Sequence, residues 1–153
     1  MSDLSRKELK KKLDRVFSLY IRLRDCDKKW IVRCPLCWAK VIWNWTQCQN
    51  MHYVKREKMW YRYNERNCYA GCKRCNVVLN GNYEKYTLFM IKKYGIEEVE
   101  RMLYDNKTYK IHDYELEEMI QHYTIECCKI AYVKGINISK YFSKRVLSLY
   151  YKY

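Results

Sequence analysis

Glycine and proline are nearly missing from this sequence: 153 residues hold four glycines and one proline. There is accordingly no Gly/Ser/Pro linker, and no internal repeat or low-complexity segment, so a single domain is the expected partition. Long apolar runs are missing too, which excludes a membrane-spanning helix. The opening Met1-Ser2-Asp3-Leu4-Ser5-Arg6-Lys7 lacks the apolar block of a secretory signal, and a reducing, cytoplasmic location is expected. Acidic side chains are scarce, 17 against 31 Lys and Arg, for a formal charge of +14. Nearly half the residues are apolar, 49%, which excludes a wholly disordered chain.

The charge has a location. Residues 1–33 and 34–80 each carry a net +6, and residues 81–153 only +2. A positive field concentrated in one half, with aromatics among it, is the footprint of a nucleic-acid binder. The plain alternative is compositional bias toward Lys, Tyr, Asn and Ile, which the 17 tyrosines fit.

Nine cysteines are present. In a reducing compartment they point to metal ligation more than to disulfides, and an odd number cannot all pair. Cys34-Pro35-Leu36-Cys37 and Cys72-Lys73-Arg74-Cys75 are two Cys-x-x-Cys knuckles. Two such pairs supply the four thiolates of a tetrahedral, structural zinc site. Redox pairs normally accompany a βαβ pattern, which this chain lacks. Cys26, Cys48, Cys68, Cys127 and Cys128 have no comparable spacing and read as reduced, partly buried residues.

Periodicity predicts a helix over 5–24, with Ser5 and Glu8 at capping-box spacing and Lys7, Lys11, Arg15 and Arg22 on a basic face. Residues 30–63 are rich in Trp (30, 38, 43, 45 and 60), Tyr, Val and Ile, with strands expected near 39–44 and 50–55. These aromatics read as core and strand-face residues, with base stacking a lesser alternative. Helices follow at 83–94, 96–104 and 113–134, stopped by Gly95 and Gly135. Residues 136–153 read as a last helix or a tail. The expected fold class is α+β, a small zinc core flanked by helices and, from the placement of its His and Asn residues, of treble-clef or ββα-metal (HNH-like) type. Its three segments are a basic N-terminal helix (1–30), the zinc-stabilised core (31–95) and a helical extension (96–153).

The long gap between the knuckles contains His52, one of three histidines. A His ending a strand, Asn67 in the connecting loop and Asn76 opening a helix over a knuckle suggest a ββα-metal nuclease. The stretch from Lys12 to Asp25 (KLDRVFSLYIRLRD) then resembles the phage lambda NinG (Rap) recombination protein family. The likeness continues through Tyr63-Asn64-Glu65-Arg66-Asn67, Ala70-Gly71-Cys72, Cys75-Asn76, Leu79-Asn80-Gly81-Asn82-Tyr83, Lys93-Tyr94-Gly95 and Tyr114-Glu115-Leu116-Glu117-Glu118. It covers about residues 10–130. The core also resembles phage recombination endonuclease VII, with four zinc cysteines and an Asn directly after the last. The resemblance implies a phage-encoded, zinc-containing nuclease acting on branched recombination intermediates in the host cytoplasm.

For phosphodiester hydrolysis, His52 is the candidate general base, since a neutral imidazole suits that task. Asn76 is the candidate ligand for a catalytic Mg²⁺ or Mn²⁺. Asn67 reads as a brace behind His52. Arg66, Lys73, Arg74, Lys55 and Arg56 are candidate DNA contacts. Mg²⁺ usually takes one or two carboxylates, and residues 34–80 offer only Glu57 and Glu65. Glu65 is the better candidate, against a structural ion pair to Arg62 or Arg66. The sequence departs from the family pattern at Met51 (Gly usual), Asn64 (Asp usual), Tyr69 (His common) and at Gly71, where Gln usually precedes the cysteine. The expected partner is branched or partly single-stranded DNA, bound by a monomer or a homodimer. The rival readings are a non-catalytic zinc-stabilised DNA-binding protein and a zinc-stapled interaction module.

Overall fold

Ser5 starts the chain's first helix as its spacing to Glu8 predicts. The Glu8 N–H donates to Ser5 Oγ at 3.4 Å, and the Ser5 N–H donates to the Glu8 carboxylate at 2.9 Å. In the computed structural model, which describes residues 4–44 and 46–150 (for Tyr150 the backbone alone), helix α1 spans Arg6–Asp25. Trp45 and residues 1–3 and 151–153, parts of the aromatic stretch and of the two terminal segments read above, lie outside the described residues. The buried side chains of α1 include Leu13, Phe17, Leu19, Ile21 and Leu23, more than one helical stripe. A helix buried on this much of its circumference is central, and α1 is no peripheral flank. Arg22, expected on a free basic face, instead donates from Nη1 to the Trp43 carbonyl at 3.2 Å.

Two small antiparallel sheets follow. β1 (Ile31–Arg33) pairs with β2 (Lys40–Ile42), and β3 (Cys48–His52) pairs with β4 (Cys68–Cys72). The expected strands 39–44 and 50–55 correspond to β2 and β3, with β3 starting two residues earlier and ending at His52. β4 carries no sequence signal because all five of its residues are buried, so no alternation marks it. Its outer edge is satisfied by the end of α1. The Ala70 N–H donates to Asp25 Oδ2 at 2.8 Å, and Arg24 Nη2 donates to the Cys68 carbonyl at 2.8 Å.

Between β3 and β4 lie a short helix α2 (Met59–Arg62) and a 3₁₀ turn, Glu65–Asn67; a π-helical turn, Arg74–Val78, follows β4. Then come α3 (Tyr83–Tyr94), α4 (Ile96–Tyr104) and α5 (Asp113–Lys134), at the expected bounds. Gly95 and Gly135 hold the positive φ angles, +85° and +64°, that end α3 and α5. The final segment forms only α6, Lys144–Tyr150.

The first and last thirds of the chain share one core, centred on α1 against α5. Phe17 and Tyr123 meet edge to face at 4.9 Å between ring centres. Lys134, at the end of α5, donates from Nζ to the carbonyls of Leu23 (2.6 Å) and Cys26 (2.5 Å), so a cation caps the negative end of α1. A second core lies around the cysteine knuckles and includes Met51, Tyr53, Tyr86 and Met90. The five cysteines outside the knuckles are buried free thiols. Burial pushes the Cys48 thiol up to about 12, which keeps it inert. Among the described residues no helix is long and apolar enough to cross a membrane.

Two tryptophans have left-handed backbones, Trp30 at φ 66° and Trp38 at φ 62°. Such strain costs a non-glycine residue about 1–3 kcal/mol. Trp38 closes the first knuckle, donating its N–H to the Cys34 carbonyl at 2.9 Å.

Candidate functional site

The two knuckles meet. The sulfurs of Cys34, Cys37, Cys72 and Cys75 all lie within 4.8 Å of one another. Zinc bound to four thiolates at about 2.3 Å sets its sulfurs about 3.8 Å apart, so the quartet fits such an ion. Cys34 and Cys37 come from the β1–β2 turn, Cys72 ends β4, and Cys75 sits in the π-helical turn. The shell around them already donates toward sulfur. The Cys75 N–H reaches Cys72 Sγ at 3.4 Å, and Asn82 Nδ2 reaches Cys75 Sγ at 3.3 Å. Hydrogen bonds of this kind orient and charge-balance metal-bound thiolates. Gly71 lies close beside the site: a β-carbon there would lie 2.3 Å from Met51 Cε and 3.2 Å from Cys34 Sγ, so the end of the Met51 side chain would have to move. Met51 therefore fills the space that Gly71 leaves, which gives the Gly-to-Met departure a packing role. His52 is not part of this four-sulfur set.

His52 stands elsewhere. Alternation along β3 puts Asn50 and His52 on one face and Gln49 and Met51 on the other. His52 lines an open cleft of about 550 Å³ between β3 and α1, with Asp14, Arg15, Asn50, Arg56 and Lys140. Its Nε2 lies 3.0 Å from the Arg62 carbonyl oxygen. A carbonyl can only accept, so Nε2 carries the hydrogen and a neutral ring keeps its lone pair on Nδ1. Burial pushes the His52 pKa down to about 4, and the charges of Arg56 and Arg62 act in the same direction. The ring is therefore neutral at physiological pH.

The acid nearest this cleft is Asp14, which sequence reasoning passed over although it lies in the quoted stretch of α1. It accepts from Arg62 Nη2 at 2.6 Å, Arg62 Nε at 3.0 Å, Tyr63 Oη at 3.0 Å and Arg56 Nη2 at 3.1 Å. Burial works to raise its carboxyl pKa, but the bonds and charges of Arg62 and Arg56 outweigh it, and the net shift is downward. Asp14 thus holds Arg62, whose carbonyl in turn orients His52.

The other candidates are dispersed. Asn67 is fully buried and braces the loop after β3, as expected. Its Oδ1 accepts the Val54 N–H at 2.7 Å, while Nδ2 donates to the carbonyls of Val54 (2.9 Å) and Tyr61 (3.0 Å). Asn67→Ala removes the side-chain partner of the buried Val54 N–H and of the Val54 carbonyl, while the Tyr61 carbonyl keeps the Asn64 N–H at 3.2 Å. It is expected to cost about 3 kcal/mol or more, read as a lowered denaturant midpoint. Glu65 accepts from Tyr20 Oη at 2.7 Å and pairs with Arg24 at 3.8 Å, both on α1, and also interacts with Tyr123 of α5; its partners are neither Arg62 nor Arg66. Arg66 pairs with Glu98 at 3.2 Å and lies over the Tyr94 ring at 4.5 Å, so it is anchored to the helical extension. Arg56 is tied to Asp14, while Lys55, Lys73 and Arg74 are exposed.

Asn76 donates from Nδ2 to Gln49 Oε1 at 2.7 Å, on the face of β3 opposite His52. The candidate base and the candidate metal ligand named from the sequence therefore do not face one another. Among the described residues the cysteine quartet is the only grouping of three or more His, Cys, Asp or Glu ligand atoms. No carboxylate joins Asn76, and Asp14 is occupied by its arginines. The donor set does not fit a protein-built Mg²⁺ or Mn²⁺ site.

The molecule is thus a small α+β protein built around a four-cysteine centre suited to zinc, with a separate cation-lined cleft holding a neutral histidine. The chain belongs to the NinG family of phage recombination proteins: the family model described as Bacteriophage Lambda NinG protein matches residues 3–132. No curated protein and no solved structure matches it.

Proposed function

We propose that this protein is a zinc-stabilised, HNH-like endonuclease that cuts branched DNA during phage recombination, with His52 as general base. The observation that carries the reading is the His52 ring: neutral, its tautomer set by the Arg62 carbonyl, its Nδ1 without a hydrogen-bond partner among the described residues, in a cleft whose lining includes Arg15, Arg56 and Lys140. In the reaction a water oxygen attacks phosphorus as its proton passes to Nδ1, and the bond to the leaving oxygen breaks as that oxygen takes a proton from solvent. Arg15, Arg56 and Lys140 lie where they can offset the phosphate charge. The zinc is structural, fixing the two sheets and the π-helical turn relative to one another. Paired cuts across a junction take two active sites, so the reading includes two copies of the chain on one branched substrate.

The second reading is a DNA-binding protein without catalysis, favoured by the separation of His52 from Asn76 and the lack of a second ligand cluster among the described residues. A cleavage panel separates the two. Linear, flap, D-loop and four-way DNA are incubated with the protein in EDTA, Mg²⁺ or Mn²⁺. Nicking of branched DNA that exceeds nicking of linear duplex supports the endonuclease. Salt-sensitive binding without cleavage under any condition leaves the binding protein. No salt-sensitive DNA affinity at all removes both and leaves the interaction module.

A further inference from the structure

The β1–β2 hairpin combines three features that each work against its own stability. Trp30 and Trp38 hold left-handed backbone angles that glycine would adopt without strain. Both rings are turned to solvent, 48% and 72% exposed, so burial gives little in return. On the paired strands, Arg33 stands directly opposite Lys40, a like-charge pair. Both cations are exposed, and neither forms an ion pair among the described residues. No Asp or Glu occurs between Asp27 and Glu57. The other described tryptophans are partnered: Trp43 packs near Tyr141, and Trp60 meets Tyr109 with Lys107 over its ring. Trp30 and Trp38 have no ring or cation partner among the described residues.

We infer that this hairpin face holds unpaired DNA bases, with Trp30 and Trp38 as stacking surfaces and Arg33 and Lys40 facing the adjoining phosphates. The inference rests on the DNA reading above and names the part of the substrate this face takes: a single-stranded segment. Paired bases in a duplex are already stacked on their neighbours, so exposed indoles gain only where bases are unpaired. The charge complementarity is with a polyanion, and exposed aromatics and exposed cations carried by one short hairpin suit a chain that alternates phosphate and base. Strain held at exposed aromatic positions is the pattern found where a ligand determines the residue.

The test uses the full chain and Trp38→Gly, with oligo(dT), blunt duplex and four-way DNA at fixed salt. Glycine relieves the φ strain while removing the ring. The variant is expected to melt a few degrees higher, to bind oligo(dT) about tenfold more weakly, and to bind blunt duplex within about twofold of wild type. Trp38→Phe, which restores a ring, is expected to recover most of the oligo(dT) affinity. Unchanged oligo(dT) affinity, equal loss on duplex, or a loss that Trp38→Phe does not recover overturns the inference. If wild type binds four-way DNA and only the oligo(dT) comparison fails, the DNA reading stands without this face. If wild type binds none of the three, the DNA reading falls and the inference with it.

Discussion

Cys72→Ser is expected to melt the chain more than ten degrees below wild type and to release its zinc. The quartet ties together three segments that are otherwise weakly joined: the β1–β2 turn, the end of β4 and the π-helical turn. Neither two-stranded sheet is large enough to be stable alone. Structural zinc in small modules binds with about 10–16 kcal/mol, comparable to the whole stability of a domain, about 5–15 kcal/mol. Losing one of four ligands forfeits a large part of this, and each kcal/mol is worth about 2–4 °C in a chain of this size. The second core, with Met51, Tyr53 and Tyr86 packed beside the cysteines, opens with the site. Zinc content and thermal melting, with and without EDTA under reducing conditions, provide the measurement. Cys128→Ser, a buried thiol outside the quartet, is the control and should keep one zinc per chain. A wild-type melting temperature that EDTA does not move would sink the zinc assignment.

His52→Ala is expected to lower branched-DNA cleavage by about 10²–10⁴, the usual contribution of a positioned base, with junction affinity kept. Its pH signature is distinctive. A base with a pKa near 4 stays neutral well into acid, so wild-type cleavage should hold from about pH 8 to 5 and fall only as the pH approaches 4. An ordinary histidine would lose half its activity near 6.5. Stability should show the same group. The folded pKa is below the unfolded value of 6.5, so the unfolded chain takes the proton first, and folding stability declines as pH falls from 6.5 toward 4. The loss is on the order of 3 kcal/mol, and His52→Ala should flatten that limb of the stability curve. Cleavage that survives His52→Ala would remove His52 from the chemistry.

Some of this protein is legible in its sequence. The Ser5–Glu8 spacing sets the start of α1, and Gly95 and Gly135 end α3 and α5, because caps and left-handed glycines act within a few residues. The Cys-x-x-Cys pairs announce a four-sulfur centre, because two thiols at that spacing turn toward one point. β4 was hidden because a strand buried on both faces carries no alternation. That Asn76 does not join His52 has a different reason. Gln49 and His52 are three apart on one strand, an odd step that puts them on opposite faces. Only the contact from Asn76 to Gln49 reveals on which face Asn76 lies.

By itself the sequence determined the class of the molecule: a basic α+β chain stapled by four cysteines, of the NinG family, with one histidine between the knuckles. Those properties are local or additive, being spacings, caps, periods and sums of charge. Only the tertiary structure decided which charges remain free. Arg62 and Arg56 are drawn to Asp14 from more than forty residues away, Arg66 is held by Glu98 and Tyr94, and Glu65 turns to Tyr20 and Arg24. A charged side chain is assigned by whatever the fold brings within about 4 Å of it, and that neighbour is not encoded near it in the chain. The same packing gave His52 its tautomer and its low pKa, which no feature of Gln49-Asn50-Met51-His52-Tyr53 announces.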